Sequence, residues 1–267
     1  MLASIILAAA FAALGTNGVD GACGPKGRRI TLALLGDSIT NCGYQDRLMK
    51  RMHGAGYAGY TPVGTHTGFS ASDEKLPGLA AHDGFGGFCY DTFLTRYQFA
   101  EDELMNVQAK AEYEQMKALG VQKVERKDWR RVLLKSPLVR YENGRKTVDV
   151  KGWLDRVNGG EPPDYVVIQL GQNGVFAQTD GSLTNHVRDV QLAGAEALLA
   201  ALRKEAPDAV YAFTTALPGS EDDTHWKANY GEKHTKAQGR RNFAYFNAEL
   251  RKWIAAKKDP VEALRTE

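Results

Sequence analysis

The chain has 267 residues, enough for one large α/β domain or two small ones. Apolar residues make up 43% and charged residues 25%, an ordinary globular composition that excludes wholesale disorder. Lys and Arg number 34 against 32 Asp and Glu, so nucleic acid is not an expected partner, and the three cysteines exclude a disulfide scaffold and a Cys-rich zinc module.

Residues 1–14 (MLASIILAAAFAAL) are apolar apart from Ser4 and too short to span a bilayer comfortably. The small, polar run at 15–21 follows. This reads as the apolar region of a secretory signal, although no Lys or Arg precedes it. An apolar first helix is the alternative; a lipoprotein signal at Ala22-Cys23 is disfavoured by Asp20. The expected organisation is a signal over 1–22 and one domain over 23–267. The expected location is secreted or periplasmic, with no stable membrane insertion after signal removal.

Residues 30–35 (ITLALL) predict a buried strand that ends in Gly36-Asp37-Ser38. A helix is expected over 44–52 and a second short strand over 60–65. The charged stretch 101–119 reads as a helical insertion on the surface. Residues 165–170 (YVVIQL), after Pro162-Pro163-Asp164, form the clearest strand. Val187, Val190, Gly194, Leu198 and Leu202 share one helical stripe, with Pro207 just beyond its end. Another strand is expected over 210–215. Phe243, Phe246, Leu250, Trp253 and Ile254 make the apolar face of a last helix. Strands alternating with helices, with few hairpin signals, predict an α/β fold: a doubly wound parallel sheet flanked by helices. The tail 257–267 is polar and carries no strand run. The last strand is therefore expected to be missing and the domain C-terminally incomplete; a four-stranded sheet is the alternative.

In such sheets ligands bind beyond the carboxyl ends of the strands. Three segments qualify. Gly36-Asp37-Ser38-Ile39-Thr40 follows the first strand and would place Ser38 at the mouth of the sheet, unless Ser38 is simply a helix N-cap. Gly171-Gln172-Asn173 follows the clearest strand, and the Asn amide can polarise a carbonyl without titrating. Gly84-Phe85-Gly86-Gly87 lies between strand candidates, and glycines let a backbone N–H approach a ligand. The histidines are scattered without H-x-x-x-H spacing and there is no C-x-x-C pair, so neither a metal nor a cofactor is expected.

Taken in order, GDSIT, a glycine loop and Gly-x-Asn after an apolar strand resemble the SGNH hydrolases, also called GDSL esterases, over roughly residues 30–253. TPVGTHT (61–67), HDGFGGF (82–88) and PPDYVVIQLGQN (162–173) are similar to secreted bacterial members. The resemblance implies a flavodoxin-like three-layer fold and a serine esterase. Ser38 matches the nucleophile, with Asp37 beside it as a further candidate site residue. The N–H of Ser38, the N–H of Gly87 and the side chain of Asn173 match the oxyanion donors; Gly86 is a close second to Gly87. Gly174 stands where the family often has Asp.

The family's general base is the His of an Asp-x-x-His motif after a fifth strand. Asp222-Asp223-Thr224-His225 has that spacing but comes one β-α unit early, and no His follows His234. The base is therefore either His225 or a residue beyond Glu267, and without it the chain is expected to be an impaired enzyme. His82-Asp83, close to the glycine loop, is a candidate substrate contact. Cys42 and Cys89, each just past a site loop, are expected to lie near one another. The expected substrate is a small-molecule or saccharide ester, an acetyl ester of a carbohydrate among them. The alternative is a catalytically inactive carbohydrate- or ester-binding protein on the same fold.

Overall fold

The computed structural model describes residues 30–41, 45–54, 59–67, 80–95, 136–142, 145–217, 224, 226, 235–257 and 261–264. The expected signal, the expected helix at 101–119, Cys42, Asp222 and His225 lie outside them. The described elements, in chain order, are β1 (Ile30–Gly36), α1 (Gln45–Gly54), β2 (Tyr60–Val63), β3 (His66–Thr67), β4 (Ala81–Gly84), α2 (Thr92–Thr95), β5 (Val139–Glu142) and β6 (Arg145–Val148). They continue with α3 (Val150–Asn158), β7 (Tyr165–Gln169), α4 (Gln172–Val175), α5 (Asp180–His186), a π-helical turn (Val187–Leu192), α6 (Ala193–Glu205), β8 (Val210–Thr214), α7 (Lys236–Ala255) and β9 (Val261–Leu264).

The continuous apolar runs become central strands because both their faces are covered. Along β1, Ala33 and Leu35 enter the larger core with Val166, Ile168, Tyr211 and Phe213. Ile30, Leu32 and Leu34 alternate into a second core with Val167, Ala212 and Met49 of α1. Trp153, Leu198, Leu202, Phe243, Phe246 and Leu250 bring α3, α6 and α7 onto the larger core. The result is a sheet between two layers of helices, the doubly wound arrangement expected.

The sheet runs β3-β4-β1-β7-β8-β9, with β2 also on β1. All pairs within it are parallel except β3–β4. One edge of β1 is shared: Ile30–Ala33 pair with β2, then Leu35 and Gly36 pair with Asp83 and Gly84 of β4. Asp164 fixes the other edge. Its Oδ2 accepts from the Thr31 N–H at 2.7 Å and from the Thr31 hydroxyl at 2.9 Å, just ahead of the pair Leu32–Tyr165.

One expectation is overturned. The last strand is present: β9 runs parallel to β8 from the pair Tyr211–Val261 to the pair Thr214–Leu264. Its sequence, VEAL, is four residues long and broken by Glu262, too short to stand out as an apolar run. An edge strand is held through backbone hydrogen bonds on one side, which composition does not report. Two further differences are local. The stripe on the helix after β7 holds for Val187, Gly194, Leu198 and Leu202, but Val190 is 40% exposed. In the π turn, i→i+5 bonding takes up an additional residue, so buried Gln191 falls in line with Val187 instead. β5 and β6 pair antiparallel, Glu142 opposite Arg145, an antiparallel pair not expected from the sequence although Asn-Gly stands between VRYE and RKTV.

Replacing Asp164 by Ala leaves the Thr31 N–H and hydroxyl without this acceptor at the start of two central strands. Urea unfolding should show a loss of about 1–3 kcal/mol for Asp164→Ala, with an unchanged m-value.

Candidate active site

β1 stops at Gly36 because the next turn closes on it. A Cβ at Gly36 would lie 2.0 Å from Thr40 Oγ1, and one at Gly84 would lie 2.7 Å from Thr40 Cγ2. Fully buried Thr40 fills the space that both glycines leave, and its hydroxyl donates to Gln169 Oε1 at 3.1 Å. The Asp37 N–H donates to the Gln169 carbonyl at 3.3 Å. The Asp37 carboxylate turns back to accept from the Ile39 N–H at 2.9 Å. Ser38, between them, is half-buried, and its N–H and hydroxyl have no hydrogen-bond partner among the described residues.

The glycine loop is tied to the same strand end: the Phe85 N–H donates to the Gly36 carbonyl at 2.9 Å. A turn follows, closed by the Phe88 N–H on the Phe85 carbonyl at 3.2 Å, with Gly87 at φ +78°. That φ at the third position of the turn selects Gly there, whereas Gly86 is under no such demand. Gly87 is exposed, and its N–H has no partner among the described residues. Phe88 anchors the turn, stacked on Phe85 at 4.8 Å and edge-on to Phe93 at 5.1 Å.

Asn173 joins the other two segments. It stands on α4, directly after Gly171, whose φ of +102° and lack of a Cβ let Phe246 approach; a Cβ would lie 2.4 Å from that ring. The Asn173 Nδ2 donates to the Phe88 carbonyl at 3.1 Å and to Asp37 Oδ2 at 3.4 Å. Both neighbours are acceptors, so the orientation of the carboxamide follows from the hydrogen bonds. The three segments singled out in the sequence thus meet at the carboxyl ends of β1, β4 and β7.

His82 and Asp83 are brought to the site as support. Both are fully buried. His82 Nδ1 accepts from the Gly84 N–H at 3.0 Å, so that nitrogen carries no proton. Asp83 accepts from Trp153 Nε1 at 3.0 Å, from the Thr65 N–H at 3.1 Å and from the Thr65 hydroxyl. These contacts fix the β4 end and leave no surface for a substrate to touch. Sequence reasoning missed the supporting set Thr40, Gln169 and Gln191. Gln191 lies against Gly174: a Cβ there would lie 1.9 Å from Gln191 Nε2 and would turn that carboxamide away. Among the described residues no group of three or more His, Cys, Asp or Glu is placed to hold a metal ion, and no helix is long and apolar enough to cross a membrane.

Fold and site together define a doubly wound α/β protein with a serine turn, a glycine loop and an asparagine gathered at one end of its sheet. No family model matches the chain, and no curated protein matches it. Among solved structures it is similar to an acetyl esterase mutant with an acetate ion, at 17% identity and a TM-score of 0.47, covering 88% of this chain and 79% of that one. It is similar at the same values to a carbohydrate esterase of family 3 from Talaromyces cellulolyticus. A family 3 carbohydrate esterase from Clostridium thermocellum follows at 15% identity and a TM-score of 0.40, covering 88% of this chain and 77% of that one. These likenesses are distant, and no residue's role in this chain is taken from them.

Burial raises the Asp37 carboxyl from 3.8 to about 7, against the lowering effect of the Ile39 N–H. Between those values the folded chain holds a proton that the unfolded chain has released. Its contribution to stability is therefore fully present below about pH 4 and lost as the pH rises through about 7, by about 4 kcal/mol over the window. Asp37→Asn does not titrate. Urea unfolding at several pH values should show wild type losing stability relative to Asp37→Asn across that range; a constant difference would contradict an Asp37 that titrates near neutrality.

Proposed function

We propose that this protein hydrolyses carboxylic esters by acyl transfer through Ser38, with acetyl esters of carbohydrates as the favoured substrate class. One observation carries the reading: the Asn173 amide is bonded to the residue before Ser38 and to the residue after Gly87. A carbonyl placed over Ser38 would meet donors from three separate chain segments. Two of them, the Ser38 and Gly87 N–H groups, have no partner to give up among the described residues.

In the proposed reaction Ser38 Oγ bonds to the carbonyl carbon and its proton passes to a general base. The carbonyl π pair moves to oxygen and is held by the Ser38 and Gly87 N–H groups and Asn173. Collapse breaks the bond to the alcohol oxygen, which leaves with the proton. Water then attacks the acyl-serine by the same route and releases the acid. His225, with Asp222 three residues before it, is the candidate base within this sequence. The apolar run at 1–14 supports an exported, secreted or periplasmic protein, a setting in which polysaccharide esters are met.

Turnover of p-nitrophenyl acetate and of acetylated xylo-oligosaccharides tests the reading. Ser38→Ala should abolish turnover, and equal rates in wild type and variant would sink the assignment. Asn173→Ala should lower kcat by ~10²–10³ with KM little changed, as for loss of one oxyanion donor. His225→Ala should lower kcat by ~10³ or more if that imidazole is the base. Binding of the acetylated oligosaccharide without turnover would mark a binding protein instead.

A further inference from the structure

The Asn173 Nδ2 has two acceptors within hydrogen-bond reach before any ester arrives. The Phe88 carbonyl lies at 3.1 Å and Asp37 Oδ2 at 3.4 Å. The other Asp37 oxygen accepts from the Ile39 N–H at 2.9 Å. One buried carboxylate therefore spans the turn that presents Ser38 and the helix that presents Asn173.

We propose that Asp37 is a positioning residue that holds the Asn173 carboxamide donor-end inward, as a stand-in acceptor that yields its N–H to the oxyanion of a bound ester. The catalytic half of this proposal rests on the esterase reading; the geometric half does not.

An asparagine amide turns about a broad, roughly two-fold torsion. Turned over, Asn173 would point its carbonyl oxygen at the developing oxyanion and repel it. Two acceptors on Nδ2 prevent that. Of the two bonds, the one to Asp37 is the longer, so it is the one more easily given up. Asp37 makes no ion pair among the described residues, and among them no cation competes for its oxygens. Among the described residues the titratable group facing it is the buried Tyr90 phenol, which Cys89 also approaches. The Tyr90 hydroxyl donates to the Leu170 carbonyl at 3.3 Å and leaves Asp37 Oδ2 to Asn173.

Asp37→Asn is the test variant. It keeps the side-chain shape but has one acceptor atom, which can serve Ile39 or Asn173 and not both. The first measurement is independent of activity. In ¹⁵N spectra of the full chain, assigned by comparison with Asn173→Ala, the Asn173 NH₂ signals should shift as Asp37 titrates and should exchange slowly with water. In Asp37→Asn the shift should vanish and exchange should speed up about 10-fold or more. Signals unchanged by the substitution overturn the proposal.

The second measurement is a double-mutant cycle on p-nitrophenyl acetate. Asp37→Asn should lower kcat about 10-fold with KM within about two-fold, and in the Asn173→Ala background it should change kcat by less than about two-fold. Additive losses would show that Asp37 does not act through Asn173, which overturns the catalytic half. A wild-type chain with no turnover at all overturns the esterase reading, and the spectra still decide the geometry.

Discussion

The carboxyl end of the sheet depends on one buried side chain. Thr40 occupies the volume left by the missing Cβ atoms of Gly36 and Gly84 and donates its hydroxyl to Gln169. β1, β4 and β7 are thereby locked at one level, and each carries one of the three site segments on its end. The lock works because interiors are close-packed. A Cβ at either glycine would overlap Thr40, so neither strand end can shift without opening a cavity or a clash.

Above that lock the site is built from donors rather than charges. The Ser38 and Gly87 N–H groups stand without partners among the described residues, at half-buried or exposed positions where water can serve them when no ligand does. Asp37, the ionisable group at the centre of the described site, is 1% exposed and pushed toward the neutral form by burial. For the proposed reaction that is favourable: a permanently charged carboxylate there would oppose the charge developing on the ester oxygen. The same burial costs stability as Asp37 ionises, so the arrangement has to be sustained by the two cores on either face of the sheet.

Support for Asn173 comes from a helix that departs from regular geometry. The π turn at Val187–Leu192 delivers Gln191 into the space beside Gly174. A side chain at 174 and an inward Gln191 exclude each other. The glycine at 174 is thus matched by a local change in helical bonding seventeen residues later in the chain.

Much was legible in the sequence because it is written in local chemistry. Apolar runs long enough to be buried on both faces marked β1, β7 and β8. The segments that hold Ser38, Gly87 and Asn173 were legible because they follow strands or form a glycine loop, while the roles expected of these three residues came from the SGNH resemblance. The pairing β8–β9 was not legible: a four-residue edge strand is held by backbone bonds to a neighbour fifty residues away in sequence, which side-chain type hardly reports. Nor were the division of one β1 edge between β2 and β4, the exposure of Val190 and the burial of His82 and Asp83. Each depends on which other segment fills the adjoining space. The sequence by itself determined the fold class and the residue types offered to the site. Only the tertiary structure decided that Asn173 reaches both Asp37 and Phe88, because that contact joins three segments whose spacing along the chain carries no information about their distance in space.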